Sequence, residues 1–243
     1  MLQRRLYHCP LMFVTIVLVL AGGVLSAQPL AVHIPDSNLH DALREALELP
    51  AGTPIMEADM RQLTALNAAA RQITNLTGLE HATNLTELRL GENPIADIGP
   101  LAHLTQLSRL RLNDCWTIDD ISPLAHLTQL NWLDLDRNLI VDIGPLAGLT
   151  QLTSFDIRYN RVEDLGPLEN LTQLTGLFLD NNQIKDVRPL ANLTQLTQLF
   201  LNSNKIVDIS PLVNLTQLTQ LRLDNNKIVD VSPLVNLTQL IQL

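Results

Sequence analysis

The sequence predicts an open α/β solenoid, with short parallel strands on a concave face and 3₁₀ or short helical turns on the convex side. Two observations predict the stack: a pattern of 22 residues recurs along most of the chain, and leucine falls at nearly every third position within it. A third observation, a segment of helical spacing before the first copy, predicts a helical N-terminal cap. Internal repetition at this period is typical of a solenoid.

Bulk composition limits the classes of partner. The chain has 243 residues, of which 46% are hydrophobic, so it can bury a sizeable core in one or two domains. Its formal net charge is -9. Phosphate binding needs a positive field, and we therefore expect no nucleic-acid partner.

Residues 1–27 have the composition of a secretory signal peptide. Arg4 and Arg5 precede an apolar run over residues 10–25, which ends in small residues. A retained membrane anchor is the alternative, although the run is shorter than the ~20 residues that a spanning helix needs. The sequence predicts export to the periplasm, the cell surface or the medium, with no membrane contact after cleavage.

Residues 33–62 are predicted to form the N-terminal cap. Leu39, Leu43 and Leu47 recur at helical spacing behind Asp36, and Pro50 ends the pattern. A second short helix is expected in "MEADMRQL". One apolar face of this cap would cover the first repeat.

Residues 63–243 are predicted to be repeats: a degenerate copy at 63–84, seven copies over 85–239 and an incomplete copy at 240–243. In the pattern LxxLxLxxNxIxDIxPLxxLTQ, the segment LxxLxL alternates like a short strand. The asparagine amide both donates and accepts, so stacked copies can satisfy buried backbone groups. This predicts a structural ladder of Asn93, Asn138, Asn160, Asn182, Asn204 and Asn226. In the second copy Cys115 takes this place, and one additional residue follows.

An aspartate follows in every one of the seven copies, shortly before Pro-Leu. Aspartate before a turn with proline in its first positions is typical of an N-cap, so the return limb is predicted to be a 3₁₀ turn. A ladder of metal-binding carboxylates is the alternative, but capping already accounts for these residues. They are Asp97, Asp120, Asp142, Asp164, Asp186, Asp208 and Asp230.

The 22-residue frame "NLTQLTQLFLNSNKIVDISPLV", behind a helical cap, resembles the bacterial leucine-rich repeat proteins, and among them the internalin-like class. The resemblance covers residues 33–243 and implies a leucine-rich repeat solenoid, a right-handed curved superhelix. It further implies a non-enzymatic, exported protein that binds other proteins on its concave sheet. The sequence departs from internalins in having no immunoglobulin-like segment after the repeats and no cell-wall sorting motif.

Motifs of catalysis are missing from the sequence. It contains no Gly-rich phosphate loop, no HExxH and no GxSxG, so we expect neither an enzyme nor a cofactor. His81, His103 and His126 occupy one place in three successive copies. A zinc site in such a column is one reading, and solvated side chains at a tolerant position are the other.

The predicted ligand surface lies where the copies differ on the outward strand positions. Aromatic and arginine side chains there are typical of interface hot spots. The hypothesis is a contact centre of Trp132, Tyr159, Phe178 and Phe200, with Arg137 and Arg158 setting orientation. The alternative is that these residues merely cover one another across the sheet. A broad mixed surface suits a protein better than a small molecule.

The sequence therefore predicts an exported, non-catalytic protein-binding scaffold. Two rival functions stay open: the recognition arm of a larger surface protein or enzyme, and an intracellular regulator of an enzyme such as a phosphatase. The apolar face of the seventh copy, which no cap follows in the sequence, predicts possible self-association.

Overall fold

The computed structural model describes residues 30–242, and the predicted signal peptide lies outside this range. The cap contains α1 (Ser37–Ala46) and α2 (Glu57–Met60), the second being a single turn. Asp36 begins α1, because its Oδ1 accepts the backbone N–H groups of Asn38 and Leu39 at 2.9 and 3.0 Å. Its Oδ2 accepts the N–H of Thr74 at 2.8 Å. One carboxylate thus starts the helix and ties the cap to the degenerate copy.

The cap closes the N-terminal end of the core. Leu39, Leu43 and Met60 are fully buried, and they belong to one continuous apolar cluster with the leucines of the repeats. This is the apolar face that the helical spacing predicts. None of the helices within residues 30–242 is long and apolar enough to cross a membrane.

A single sheet of eight parallel strands, in chain order, forms the concave face. Each strand has three residues, and the middle one is buried while its neighbours face outward to varying degrees. The strands are β1 (Ala65–Asn67), β2 (Glu87–Arg89), β3 (Arg109–Arg111), β4 (Trp132–Asp134), β5 (Ser154–Asp156), β6 (Gly176–Phe178), β7 (Gln198–Phe200) and β8 (Gln220–Arg222).

The pairing register follows the repeat. Leu133 of β4 lies opposite Phe155 of β5, which is 22 residues later, and most other pairs have the same separation. The step from β3 to β4 is one residue longer, with Arg109 opposite Trp132, because the second copy carries the additional residue. The sheet, the turns and the cap confirm the predicted fold class.

The return limbs are 3₁₀ turns, and the repeated aspartate caps each of the seven that follow β2 to β8. In every case its Oδ1 accepts the backbone N–H two residues later, at 2.7–2.9 Å. The aspartate therefore caps the turn from one residue before the predicted N-cap position, as Asp97 does ahead of the N-cap residue Ile98. The turns are Leu79–His81, Gly99–His103, Ser122–Leu124, Gly144–Leu146, Gly166–Leu168, Arg188–Leu190, Ser210–Asn214 and Ser232–Asn236.

Burial weakens at the C-terminal end of the described chain. Leu234 and Leu240 are only partly buried. Val229, Val235 and Ile241 are 90%, 77% and 87% exposed. These side chains form an apolar surface beyond β8.

Candidate functional site

The aromatic side chains of the concave face each lie against an arginine from a neighbouring copy. The Arg111 guanidinium carbon is 5.1 Å from the Trp132 ring centre, and that of Arg137 is 4.8 Å from the Tyr159 ring. Such distances are typical of cation–π contacts. These contacts form the first half of a surface that we call the aromatic–arginine band. Its members are Arg111, Trp132, Arg137, Arg158, Tyr159, Phe178, Phe200 and Arg222.

The second half of the band contains a ring pair. Phe178 and Phe200, on the neighbouring strands β6 and β7, meet edge to face with ring centres 5.1 Å apart. Arg158 lies 5.8 Å from the Phe178 ring, and Arg222 lies 4.5 Å from the Phe200 ring. All six residues of the predicted contact surface therefore lie in the band. Arg111 and Arg222 join it without having been predicted.

Two members of the band occupy a strained backbone position. The eighth residue of every copy has a positive φ, between 51° and 60°. Most copies place Asn, Asp, Ser or Glu there, whereas Arg137 and Tyr159 are the two larger side chains. Asparagine tolerates the left-handed region, and a bulky residue there is less stable by on the order of 1 kcal/mol. Tyr159 is nevertheless 46% exposed, so burial of its ring does not offset this cost in full.

Carboxylates lie beneath the band, at positions that the strand alternation assigns to solvent. That assignment is wrong for Asp134, Asp136 and Asp180, which are only 7%, 6% and 4% exposed. Side chains from adjacent copies cover them: Arg111 Nε, for example, lies 3.2 Å from Oδ2 of Asp134. Burial, with the nearby charge of Asp156, raises the pKa of Asp134 to about 6.

The other buried carboxylates show the same effect. Burial raises the pKa of Asp180 to about 6. Burial and the charge of Asp156 also raise the pKa of Asp136. Arg158 is held among these groups by Asp156, with its Nε 2.9 Å from Oδ1 and its Nη2 2.6 Å from Oδ2. Its guanidinium therefore supports the Phe178 ring from a fixed position.

The six ladder asparagines connect successive copies. Asn160 is typical: its Nδ2 donates to the carbonyls of Leu135 and Ile157 at 2.9 and 3.2 Å, and its Oδ1 accepts the N–H of Ile140 at 2.9 Å. Asn93, Asn182, Asn204 and Asn226 bond in the same way to the preceding copy. These bonds hold the turn behind each strand.

The second copy interrupts the ladder. Cys115 contributes only a weak contact, its Sγ lying 3.9 Å from the carbonyl of Leu90. Burial raises the pKa of the Cys115 thiol to about 11, so it is a poor nucleophile. Asn138 keeps its donor bonds, but its Oδ1 is buried and accepts no hydrogen bond from any residue in the range 30–242. The additional residue places Trp116 on the surface, 60% exposed and with φ 62°.

The structure offers the histidine column no metal-binding geometry. Across the described chain, no group of three or more His, Cys, Asp or Glu side chains is arranged to hold a metal ion. His81 instead has its Nδ1 3.7 Å from Oε1 of Glu57 in the cap. His81 and His103 lie in 3₁₀ turns and His126 lies two residues after one, away from the band.

Comparison with known families matches the repeats directly. A family model described as leucine-rich repeats (2 copies) matches residues 83–126, 128–170, 172–214 and 194–236. A solved internalin C2 (inlC2) of Listeria monocytogenes is 36% identical, with a TM-score of 0.83, over 89% of this chain and 99% of that one. The chain belongs to the bacterial internalin-like leucine-rich repeat proteins.

Other solved structures agree with this assignment. An internalin (inlF) of Listeria monocytogenes is 34% identical to this leucine-rich repeat protein, with a TM-score of 0.75, over 90% of this chain and 72% of that one. A leucine-rich repeat protein of Leptospira interrogans, at 24% identity, 77% coverage of this chain, 51% of its own and a TM-score of 0.70, shows the same fold. No curated protein sequence matches the chain. The fold is that of a protein-interaction scaffold, and its internalin homologues are surface or secreted proteins.

Proposed function

We propose that this chain is an exported, non-catalytic scaffold that binds another protein on its concave face. The contact centre is Trp132, Tyr159, Phe178 and Phe200, and Arg137 orients the partner. The observation that carries the proposal is Tyr159, a half-exposed ring at a left-handed position where a smaller residue is more stable. Arg137 covers one side of this ring, and the rest of the ring stays exposed and open to a contact outside the chain.

The proposal gives the two arginines separate roles, which their contacts support. Arg158 is forked onto Asp156 and lies under Phe178, so it positions the ring rather than reaching a partner. Arg137 stacks on the exposed Tyr159 and lies 3.2 Å from Asp136. Exposed aromatic and guanidinium groups held in fixed positions lose little entropy on binding, which favours hot-spot behaviour.

The sharpest test replaces Tyr159 by asparagine. Tyr159→Asn relieves the unfavourable φ but loses an exposed cation–π contact of about 0.5–1 kcal/mol, so the melting temperature should change by no more than a few degrees. Partner capture from a native extract, quantified by mass spectrometry, should fall at least tenfold. Ser203→Asn, at the same position of the sixth copy, is the matched control and should leave capture unchanged.

The ring pair gives a second variant. Phe178→Ala with Phe200→Ala removes one edge-to-face contact and two cation–π contacts, so we expect a loss of about 2–3 kcal/mol in the free energy of unfolding together with loss of capture. Val207→Ala, an exposed apolar residue in the connection after β7, controls for lost surface. Unchanged capture by both Tyr159→Asn and the double variant would show that the band is structural.

Self-association belongs to the same proposal. Val229, Val231 and Val235, which follow β8, are 90%, 64% and 77% exposed, and exposed apolar surfaces favour association. Sedimentation velocity should show concentration-dependent dimers that Val231→Lys with Val235→Lys abolishes. A wild-type chain that stays monomeric at 100-fold different concentrations would contradict this part.

A further inference from the structure

Three arginines converge at the N-terminal end of the concave face. Arg89 of β2 and Arg109 and Arg111 of β3 line a depression of about 300 Å³, with the Trp132 ring at one wall and buried leucines as its floor. Arg89 lies directly opposite Arg111 in the sheet register. Such a concentration of positive charge is unusual in a chain with a net charge of -9.

The nearby carboxylates do not neutralise the positive charge of the three arginines. Arg89 is paired with Glu87, whose Oε1 lies 2.7 Å from the arginine Nε. The buried Nε of Arg111 lies 3.2 Å from Oδ2 of Asp134, which is an ion pair by distance, but within the described chain this nitrogen forms no hydrogen bond. Two carboxylates thus face three guanidinium groups.

Arg109 is the arginine of the pocket that has no carboxylate partner within the described chain. Its strand pairing places it opposite Glu87 and Trp132, but Glu87 is already bound by Arg89. Arg109 is exposed and, among residues 30–242, forms no ion pair and no side-chain hydrogen bond. Its planar fork of N–H donors matches a carboxylate in bidentate geometry.

We propose that this pocket, lined by Arg89, Arg109, Arg111 and Trp132, binds the carboxylate of one acidic side chain on a protein partner. The inference rests on the proposed protein-binding function and adds the chemistry of the partner. The volume lies at the lower limit of small-molecule sites, which suits a single side chain. The methylene groups of the partner's acidic side chain contact the Trp132 ring, while its carboxylate binds Arg109.

The neighbouring strands decide against a polyanion. Asp134 and Asp156 follow on β4 and β5 in the same row, and Asp136 lies just beyond β4. A chain of phosphates passing along the concave face would be repelled there, whereas one carboxylate stays within the positive part. A fitting partner therefore carries an acidic side chain opposite β2 and β3 and none opposite β4 and β5.

The test uses defined probes with the whole chain. Acetyl-Ala-Glu-Ala-amide is titrated into the ¹⁵N-labelled protein, and the indole N–H of Trp132 and the arginine Nε–H signals are followed. The isosteric acetyl-Ala-Gln-Ala-amide and inorganic phosphate are the comparison ligands. A Trp116→Phe variant assigns the two indole signals. We expect the glutamate peptide to bind at least fivefold more tightly than either comparison ligand.

Matched substitutions localise the effect. Arg109→Gln should weaken the glutamate peptide at least fivefold, whereas Arg161→Gln, an exposed arginine outside the pocket, changes net charge equally and should weaken it less than twofold. Equal binding of the two peptides, phosphate binding as tight as the glutamate peptide, or equal losses in the two variants would each overturn the proposal. Binding of the peptide alongside unchanged capture by Tyr159→Asn would keep the pocket and reject the proposed contact centre instead.

Discussion

The asparagine ladder makes a quantitative prediction, because two of its members differ in one hydrogen bond. Asn160 donates through Nδ2 and accepts the N–H of Ile140 at 2.9 Å, whereas Asn138 donates to Leu112 and Leu135 but accepts nothing through Oδ1. Replacing either by alanine leaves buried carbonyls without donors. Of the two substitutions, only Asn160→Ala also leaves the backbone N–H of the fully buried Ile140 without an acceptor.

An orphaned buried polar group costs about 1–3 kcal/mol. Asn160→Ala should therefore lower the free energy of unfolding by about 1–3 kcal/mol more than Asn138→Ala does. With a urea m-value of about 2 kcal/mol per M, the unfolding midpoints of the two variants should differ by roughly 0.5–1.5 M. Urea titration followed by circular dichroism measures the difference. Equal midpoints, or a larger loss in Asn138→Ala, would refute the energetic reading of the ladder.

Two further predictions concern carboxylates. Asp120→Ala should reduce the free energy of unfolding by about 0.5–2 kcal/mol, because its Oδ1 caps the Ser122 N–H at 2.8 Å, whereas the adjacent Asp119→Ala should change it by less than about 0.5 kcal/mol; thermal melts of the two variants that coincide would contradict the capping role. Burial raises the pKa of Asp134 and Asp180 to about 6, above the ordinary 3.8, so the folded chain binds more protons than the unfolded chain between about pH 4 and 6. Stability contributed by these two groups therefore rises as the pH falls from 7 to 5. The gain in melting temperature over that interval should shrink in Asp134→Asn with Asp180→Asn, and an unchanged gain would argue against burial of these groups.

The regular part of the fold could be predicted because each copy repeats the same local chemistry. The middle leucine of each strand, the asparagine behind it and the aspartate before Pro-Leu all lie where the pattern predicts them, as in Leu177, Asn182 and Asp186 of the fifth copy. Stacking forces adjacent copies into one conformation, so a conformation predicted for one copy applies to the others.

The side-chain contacts between copies were harder to predict. Alternation places Asp134 and Asp180 outward, and only the packing of longer side chains from neighbouring strands shows that they are buried. The arginine cluster of the pocket could have been predicted from the sequence, because Arg109 and Arg111 lie on one strand and Arg89 lies on the strand next to it. The surface position of Trp116 could also have been predicted, because this residue follows Cys115 in the copy that has 23 residues.

The backbone strain at the eighth position was not predictable from one copy. It becomes visible in the φ angles, where Arg137 and Tyr159 share a conformation with Asn181 and Asn225. Asparagine at the eighth position of some copies indicates a left-handed conformation, but copies with other side chains at this position give no such indication.

Hydroxyl-radical footprinting of the chain, free and bound to its captured partner, tests most directly whether the concave band is the binding surface. Aromatic side chains are readily oxidised, and mass spectrometry reports each one separately. Partner binding should reduce oxidation of Trp132, Tyr159, Phe178 and Phe200 at least threefold, while Val207, 54% exposed in the connection after β7, stays unchanged. Protection of convex residues with unchanged oxidation of the four rings would contradict binding on the concave face.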